Sequence, residues 1–274
     1  MGINLYDYGA RWYDAAVGRW TSVDPLAEKY AGISPFAYVA ANPIAYVDPD
    51  GRRFYFAAGA GHDPENTGYI GRMLNIFRRA GIRNPVDIQA HGSKVSDVLF
   101  TVSSNRTTPY YSQYITRISG NPTMGPGTIV ETSLANPDWR ITQAVSKIKA
   151  DLASNPLENG EQFNLSGYST GSVTMAQAAL MLAEEGQVID NLVLIGTSIE
   201  EDSGLYKSLL NNENIKNVIR VDIPGDNVQD ANFETLMSFY NLGDSHPHFK
   251  YAFGKKAEEN TKQLANYLKE QGVK

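Results

Sequence analysis

Residues 163 to 185 read FNLSGYSTGSVTMAQAALMLAEE, and the rest of the fold prediction follows from them. Phe163 and Leu165 alternate with polar residues as in a strand, and apolar residues then recur at helical spacing. Gly167 and Gly171 flank a tight turn, where a Cβ atom would strike neighbouring backbone. The pattern Gly-x-Ser-x-Gly is typical of a strand that turns sharply into a helix, leaving the serine hydroxyl exposed at the carboxyl edge of a sheet. The stretch therefore predicts a buried strand, a turn at Ser169 and a helix.

This turn gives Ser169 a setting for nucleophilic chemistry. The following helix points its amino terminus, which carries partial positive charge, at the place where an acyl oxyanion would form. The N–H of Thr170 is the natural donor to that oxyanion. A five-residue pattern also arises by chance, and the simple alternative is a serine in an ordinary loop. The strand and the helix that flank the pattern favour the nucleophile.

Composition restricts the class of protein. The chain has 274 residues, of which 42% are hydrophobic and 20% charged, which is typical of a globular protein. Its net charge is −6 and it contains no run of Lys and Arg, so nucleic acid is not an expected partner. Cysteine is absent, which excludes disulfides and thiolate metal sites. No signal-peptide pattern or membrane-spanning run occurs, so the sequence leaves the localisation unknown, and any export signal is expected elsewhere.

Composition and predicted secondary structure change near residue 52, which predicts two domains. Residues 1–52 interleave aromatic residues with Gly, Asp and Pro, a pattern that indicates short strands and turns. Such a short segment cannot bury its aromatic residues alone and needs a partner surface. Residues 53–274 alternate predicted strands and helices, which favours a mostly parallel sheet of the α/β class. Within them, residues 93–126 lack a clear period and are interpreted as an irregular insertion.

A serine nucleophile needs a histidine to accept its proton and a carboxylate to orient that histidine. Asp226 directly follows a predicted strand at 217–223, and Gly225 allows the chain to turn there. Asp222 and Asp230 are the alternative carboxylates. As a turn residue, Asp226 could also simply cap its own loop.

The base is expected among the late histidines, His246 and His248. A metal site built from these two together with His62 and Asp63 is an alternative on ligand type alone. None of their spacings is typical of a metal-binding motif, so no metal is expected.

The order Ser, Asp, His resembles that of lipases and esterases of the α/β-hydrolase superfamily. His248-Phe-Lys-Tyr251 is similar to the H-x-x-Y arrangement after the last core strand of lipase-like enzymes, which favours His248 over His246 as the base. The resemblance implies a trimmed α/β-hydrolase with a mostly parallel sheet over residues 53–274. It also implies a second oxyanion N–H from Ala60 or Gly61, no cofactor, and a lipid or other ester as substrate.

The amino-terminal segment resembles the core signature of Rhs-repeat proteins. The similarity lies in YDYGARWYDAAVGRWTSVDPLAEKY and SPFAYVAANPIAYVDPDG. In that family a β-rich shell precedes a variable carboxyl-terminal domain, usually a toxin delivered to competing cells. The resemblance implies an effector domain, an immunity protein as its partner and contact with a membrane surface. Some members cut their own chain with aspartates similar to Asp24 and Asp48, although turn chemistry alone also explains these Asp-Pro steps.

Together these observations favour a serine carboxyl-ester hydrolase of the lipase or phospholipase type, using Ser169, His248 and Asp226. Two alternatives stay open. One is a non-catalytic interaction module on a degenerate hydrolase fold. The other is a peptidase or thioesterase with the same triad, because these reactions share their acyl chemistry.

Overall fold

A computed structural model describes the chain at residues 5–7, 12–14, 16–23, 34–37, 53–59, 68–89, 97–101, 112–116, 128–132, 137–157, 160–226, 247–252 and 254–274. The chain divides into two compact units, Met1–Gly51 and Arg52–Lys274. Asp24 and Asp48, considered above for self-cleavage, lie outside the described residues.

The described part of the small unit is an antiparallel sheet. Its strands are β1 (Leu5–Asp7), β2 (Trp12–Asp14) and β3 (Arg19–Trp20), paired in that order. Trp20 is buried, and the ring of Tyr13 packs edge-on against it with 5.9 Å between ring centroids. An aromatic pair therefore forms the centre of this sheet.

The large unit alternates strands and helices. Its strands in the described residues are β4 (Arg53–Ala57), β5 (Pro85–Asp87), β6 (Asp97–Thr101), β7 (Ser112–Thr116), β8 (Thr128–Thr132), β9 (Phe163–Tyr168), β10 (Asn191–Ile195) and β11 (Val218–Val221). Its helices there are α1 (Tyr69–Ala80), α2 (Trp139–Ser154), α3 (Thr170–Glu184), α4 (Gly204–Leu210) and α5 (Ala257–Glu270), with a short 3₁₀ helix at Pro247–Phe249. Across the described residues, no helix is both long enough and apolar enough to traverse a bilayer.

Five of these strands form one sheet in the order β11-β10-β9-β4-β5, and each neighbouring pair is parallel. The predicted α/β class with a mostly parallel sheet is thereby confirmed. Because parallel strands point the same way, their carboxyl ends share one edge of the sheet. Strand β9 is the middle strand, so the turn at Ser169 lies at the centre of that edge.

The prediction of an irregular segment at residues 93–126 was wrong in part. Strands β6 and β7 lie within this range and pair with β8 in a separate antiparallel sheet. The strand sequences DVLFT and SQYIT contain the β-branched and aromatic residues that strands favour. Runs of Ser, Thr, Pro and Gly between them hide this signal from a search for periodicity.

Two apolar layers cover the faces of the parallel sheet. Phe54 and Phe56 of β4 pack with α1 and α5 on one face, whereas Tyr55 and Ala57 pack with α2 and α3 on the other. This alternation follows from the twofold period of a strand. Burial on both faces also explains why every residue of the central strands β9 and β10 is buried. The sheet is thus held rigidly from both sides.

The glycines at the turn let three backbone segments approach closely. A Cβ atom on Gly167 would lie 2.2 Å from the carbonyl oxygen of Gly171. A Cβ atom on Gly171 would lie 2.2 Å from the carbonyl oxygen of Ala57, in β4. Both distances are far below van der Waals contact, so only glycine fits at either position. Strand β9, helix α3 and strand β4 are therefore locked together at this point.

We expect Gly167→Ala to lower the free energy of unfolding by about 3 kcal/mol or to prevent folding, because rigid backbone cannot move away from the added methyl group. Gly186→Ala is the matched control: Gly186 has a φ of +87° but nothing lies within 4 Å of its Cβ position. Its loss should be about 1 kcal/mol, the conformational cost of that φ. Urea unfolding measures both values, and equal losses would contradict the role given to the close approach.

Candidate active site

Ser169 connects β9 to α3 in a conformation that residues with side chains rarely adopt. Its φ is 55° and its ψ is −128°, a conformation that costs about 1–3 kcal/mol and persists only where the surroundings enforce it. They do so through both backbone polar groups. The N–H of Ser169 donates to the carbonyl oxygen of Ile195 at 2.8 Å, and the hydroxyl of Ser172 donates to the carbonyl oxygen of Ser169. The sharp turn predicted from the sequence is held at both ends.

A pair of buried hydroxyl groups supports this turn. Ser172 Oγ lies 2.6 Å from Thr197 Oγ1, and the N–H of Ile199 donates to Thr197 Oγ1 at 3.2 Å. Ser172 has a single hydroxyl proton, which its bond to Ser169 uses. Thr197 must therefore donate to Ser172. The chain of bonds ties the segment after β10 to the turn that carries Ser169.

The structure brings Ser169, His248 and Asp226 together. His248 Nε2 lies 2.7 Å from Ser169 Oγ, and His248 Nδ1 lies 2.6 Å from Asp226 Oδ2. The side chains of His248 and Asp226 are each 4% exposed. With the Nδ1 proton donated to the carboxylate, Nε2 is left as the acceptor for the hydroxyl proton of Ser169. This arrangement can move a proton from Ser169 to His248.

Each member of this relay comes from a different connection at the carboxyl edge. Asp226 follows β11 after the turn at Gly225, whose φ is +79°, and His248 is on the 3₁₀ helix. Asp222, the alternative carboxylate, is exposed and accepts a hydrogen bond from Arg220 Nε at 2.8 Å. The predicted strand at 217–223 ends earlier, at Val221. Asp222 therefore belongs to a surface ion pair rather than to the relay.

Several predicted site residues lie outside the described residues. These are the oxyanion candidates Ala60 and Gly61, the alternative base His246, the alternative carboxylate Asp230, and His62 and Asp63 of the alternative metal site. Thr170 is described, is 5% exposed and begins α3. Its N–H is among the first-turn groups that have no acceptor within a helix. The position of Thr170 suits the predicted oxyanion donor.

Gly59 is a site residue that the sequence analysis missed. A Cβ atom there would lie 2.9 Å from Ser169 Cβ and 3.4 Å from Ser169 Oγ. The segment after β4 therefore passes directly beside the nucleophile candidate. The sequence signal for it is the small-residue run Gly59-Ala-Gly, whose first residue lies nearest to the predicted strand.

Tyr168 lies directly before Ser169 in the Gly-x-Ser-x-Gly pattern. It contacts His248, which the sequence analysis did not predict. Its ring stacks on the imidazole of His248, with 5.6 Å between centroids and 17° between planes. Its hydroxyl donates to the carbonyl oxygen of His248. Burial raises the pKa of Tyr168 well above its ordinary value, and the charge of Asp226, together with the charges that Tyr69 and Tyr251 would carry once ionised, acts in the same direction. The hydroxyl therefore stays protonated and remains a donor.

Two helices also hold the segment that carries His248. Arg72 of α1 donates from Nη2 to the carbonyl oxygens of Tyr251 and Ala252. Asn260 of α5 donates from Nδ2 to the carbonyl oxygen of Lys250 at 2.9 Å. Side chains from the sheet and from both helices of one layer thus hold this short segment in place.

The buried tyrosines give this region a dependence on alkaline pH. Burial raises the pKa of Tyr251 from 10.0 to about 12. The folded protein then binds the proton more tightly than the unfolded chain, so this contribution to stability is complete below pH 10 and is lost as the pH rises to about 12. We expect the free energy of unfolding to fall across this range, and Tyr251→Phe to make the fall less steep. Urea unfolding at each pH measures the slope; an equally steep fall in the variant would contradict this origin.

Comparison with known proteins adds one partial similarity. No protein-family model matches the chain. Salivary gland surface protein 1 of Aedes aegypti is 46% identical over 48 residues, which are 18% of this chain and 1% of that protein. The chain thus spans about 1% of the length of the relative that it matches. The name of that protein states no enzymatic activity.

Proposed function

We propose that the protein is a serine hydrolase that cleaves carboxyl esters on a trimmed α/β-hydrolase fold. The observation that carries the proposal is the relay in which His248 lies 2.7 Å from Ser169 Oγ and 2.6 Å from Asp226 Oδ2. Nucleophile, base and orienting carboxylate within hydrogen-bond reach are the combination that activates a serine. The position of Ser169 at the turn from the central strand into α3 supports the same reading.

In the proposed reaction, Ser169 Oγ attacks the acyl carbon while its proton moves to His248 Nε2. The carbonyl oxygen becomes an oxyanion beside the amino terminus of α3, where the N–H of Thr170 and the helix dipole favour negative charge. His248 then gives the proton to the departing alkoxide, and the alcohol leaves an acylated Ser169. Water attacks this acyl group as His248 takes its proton. His248 then returns the proton to Ser169 Oγ as the bond to the acyl carbon breaks, and the acid is released.

Burial of the base and the carboxylate supports this role. Asp226 faces the imidazole Nδ1–H and fixes the tautomer that leaves Nε2 free to accept a proton. Once His248 is protonated, the carboxylate stabilises the imidazolium at 2.6 Å. With side chains only 4% exposed, both groups are shielded from water, which strengthens their attraction.

The finer proposal is a lipase or phospholipase effector, with a lipid substrate, an immunity protein as partner and contact with a membrane surface. It is supported by the resemblance of residues 1–52 to the Rhs core signature and of residues 53–274 to lipases. Ester, thioester and peptide cleavage share the same relay, so the ester class rests on these resemblances.

Ser169→Ala removes the nucleophile and should abolish labelling by a fluorophosphonate probe. Ester turnover should fall by about 10⁴- to 10⁶-fold, while the urea midpoint stays unchanged. Turnover is measured on short acyl esters, phospholipid vesicles and peptides, which also separates the substrate classes. The matched control is Ser154→Ala, an exposed serine at the end of α2, which should retain labelling and turnover. A wild-type protein that resists the probe would favour the non-catalytic alternative, and labelling of Ser169→Ala would exclude Ser169 as the nucleophile.

Asp226→Asn keeps the shape of the side chain but removes the charge that orients His248. We expect kcat to fall by about 10⁴-fold with little change in KM, as expected for a wrong imidazole tautomer. Asp222→Asn is the control, because Asp222 is exposed and paired with Arg220, and it should keep near-normal kcat. The reverse ranking in steady-state kinetics would transfer the carboxylate role to Asp222.

A further inference from the structure

We propose that Tyr168 is a positioning residue, which holds the imidazole of His248 in the orientation that proton transfer from Ser169 requires. The inference rests on the proposed function and deepens it. Tyr168 does not contact the reacting atoms; it acts through His248 by two separate contacts, one from its ring and one from its hydroxyl.

The first contact fixes the plane of the imidazole. Tyr168 and His248 are nearly parallel, with 17° between their planes and 5.6 Å between their centroids. The imidazole must point one nitrogen at Ser169 and the other at Asp226 at the same time. A flat surface against one face restricts the rotation that would break either bond. An aromatic face also attracts a cation, so the stack favours the imidazolium formed during the reaction.

The second contact fixes the backbone of the base. The hydroxyl of Tyr168 donates to the carbonyl oxygen of His248, across 80 positions of sequence. Tyr168 is 2% exposed, so water competes little for this bond. The ring thus controls the side chain of His248, and the hydroxyl controls its main chain.

The ring of Tyr168 is itself prevented from moving. Tyr69 and Tyr251 contact it edge-on, with centroid distances of 6.0 and 6.1 Å. Gly196 has a φ of +49°, and a Cβ atom there would lie 3.5 Å from Tyr168 Cε2. The ring therefore fills a site with walls formed by several elements, and it cannot turn away from His248 without displacing them.

Tyr168 and Ser169 are neighbours in the sequence, so the position of one fixes the position of the other. Tyr168 is the last residue of β9, and Ser169 is the next residue. One short piece of the central strand therefore sets both the position of the nucleophile and the surface against which the base rests. The separation of Ser169 Oγ from His248 Nε2 is controlled locally, although the two residues are far apart in the chain.

Two variants separate the contacts. Tyr168→Phe keeps the ring and loses the hydroxyl, and kcat should fall by about 3- to 10-fold, the worth of one hydrogen bond. Tyr168→Leu loses both contacts, and kcat and the fluorophosphonate labelling rate should fall by about 100-fold. KM should stay within about twofold of wild type, because Tyr168 does not bind substrate. The matched control is Phe77→Leu, which removes another buried ring of the same apolar layer, one that packs against Phe54 and Phe56, and it should retain most of kcat.

A readout independent of turnover comes from proton NMR. The proton on His248 Nδ1, donated to Asp226, should give a low-field signal in wild type, Ser169→Ala and Tyr168→Phe, and should shift or broaden in Tyr168→Leu. A signal that depends on Tyr168 in a protein that neither labels nor cleaves esters would refute the proposed function while supporting the positioning role. If Tyr168→Leu and Phe77→Leu lose equal kcat and leave the His248 signal unchanged, the positioning role is wrong. Should Tyr168→Leu not fold, Tyr168→Phe decides through turnover, because the low-field signal is expected in both proteins: a kcat equal to that of wild type would overturn the role of the hydroxyl and with it the proposal.

Discussion

The close approach of three backbone segments at Gly167 and Gly171 is the constraint on which the site depends. Strand β4, strand β9 and helix α3 meet at distances that admit no side chain at either glycine. Because the segments on both sides of Ser169 are fixed by this contact, its backbone adopts a left-handed conformation with a φ of 55°. In that conformation the side chain projects from the edge of the sheet rather than into a core. The position of Ser169 is thus a consequence of backbone packing, before any histidine or aspartate is considered.

The two apolar layers fix the strands of the parallel sheet in position. They hold the parallel strands from both faces, so the connections that leave the carboxyl edge start from defined positions. Asp226 reaches the site from the connection after β11, and His248 from a segment that Tyr168, Arg72 and Asn260 hold by its carbonyl oxygens. The relay therefore joins residues that lie 79 and 22 positions apart in the chain. Its precision comes from the scaffold and not from the loops alone.

Local sequence patterns predict the strand, turn and helix around Ser169. They do not predict the pairing of strands that lie far apart in the chain. The elbow and the alternation of strands and helices rest on short signals with a physical reason. The structure places His248 within hydrogen-bond distance of both Asp226 and Ser169, and the catalytic roles of these residues stay predictions. The β6-β7-β8 sheet was missed because antiparallel pairing leaves little trace in a single segment. Ala60, Gly61 and His246 lie outside the described residues, so their roles stay predictions.

The strained backbone of Ser169 and the buried carboxylate of Asp226 both reduce the stability of the fold. A residue with a side chain at the φ of Ser169 costs about 1–3 kcal/mol. A carboxylate buried beside an imidazole also loses hydration, and apolar residues of similar volume are often at least as stable in such a place. A packing platform with no chemistry would gain stability by losing both features. This chain instead keeps the strained serine, the buried Asp226 and His248 within hydrogen-bond distance, and surrounds them with further hydrogen bonds. A strained serine and a buried carboxylate that are kept in hydrogen-bonded positions favour the hydrolase over the interaction module.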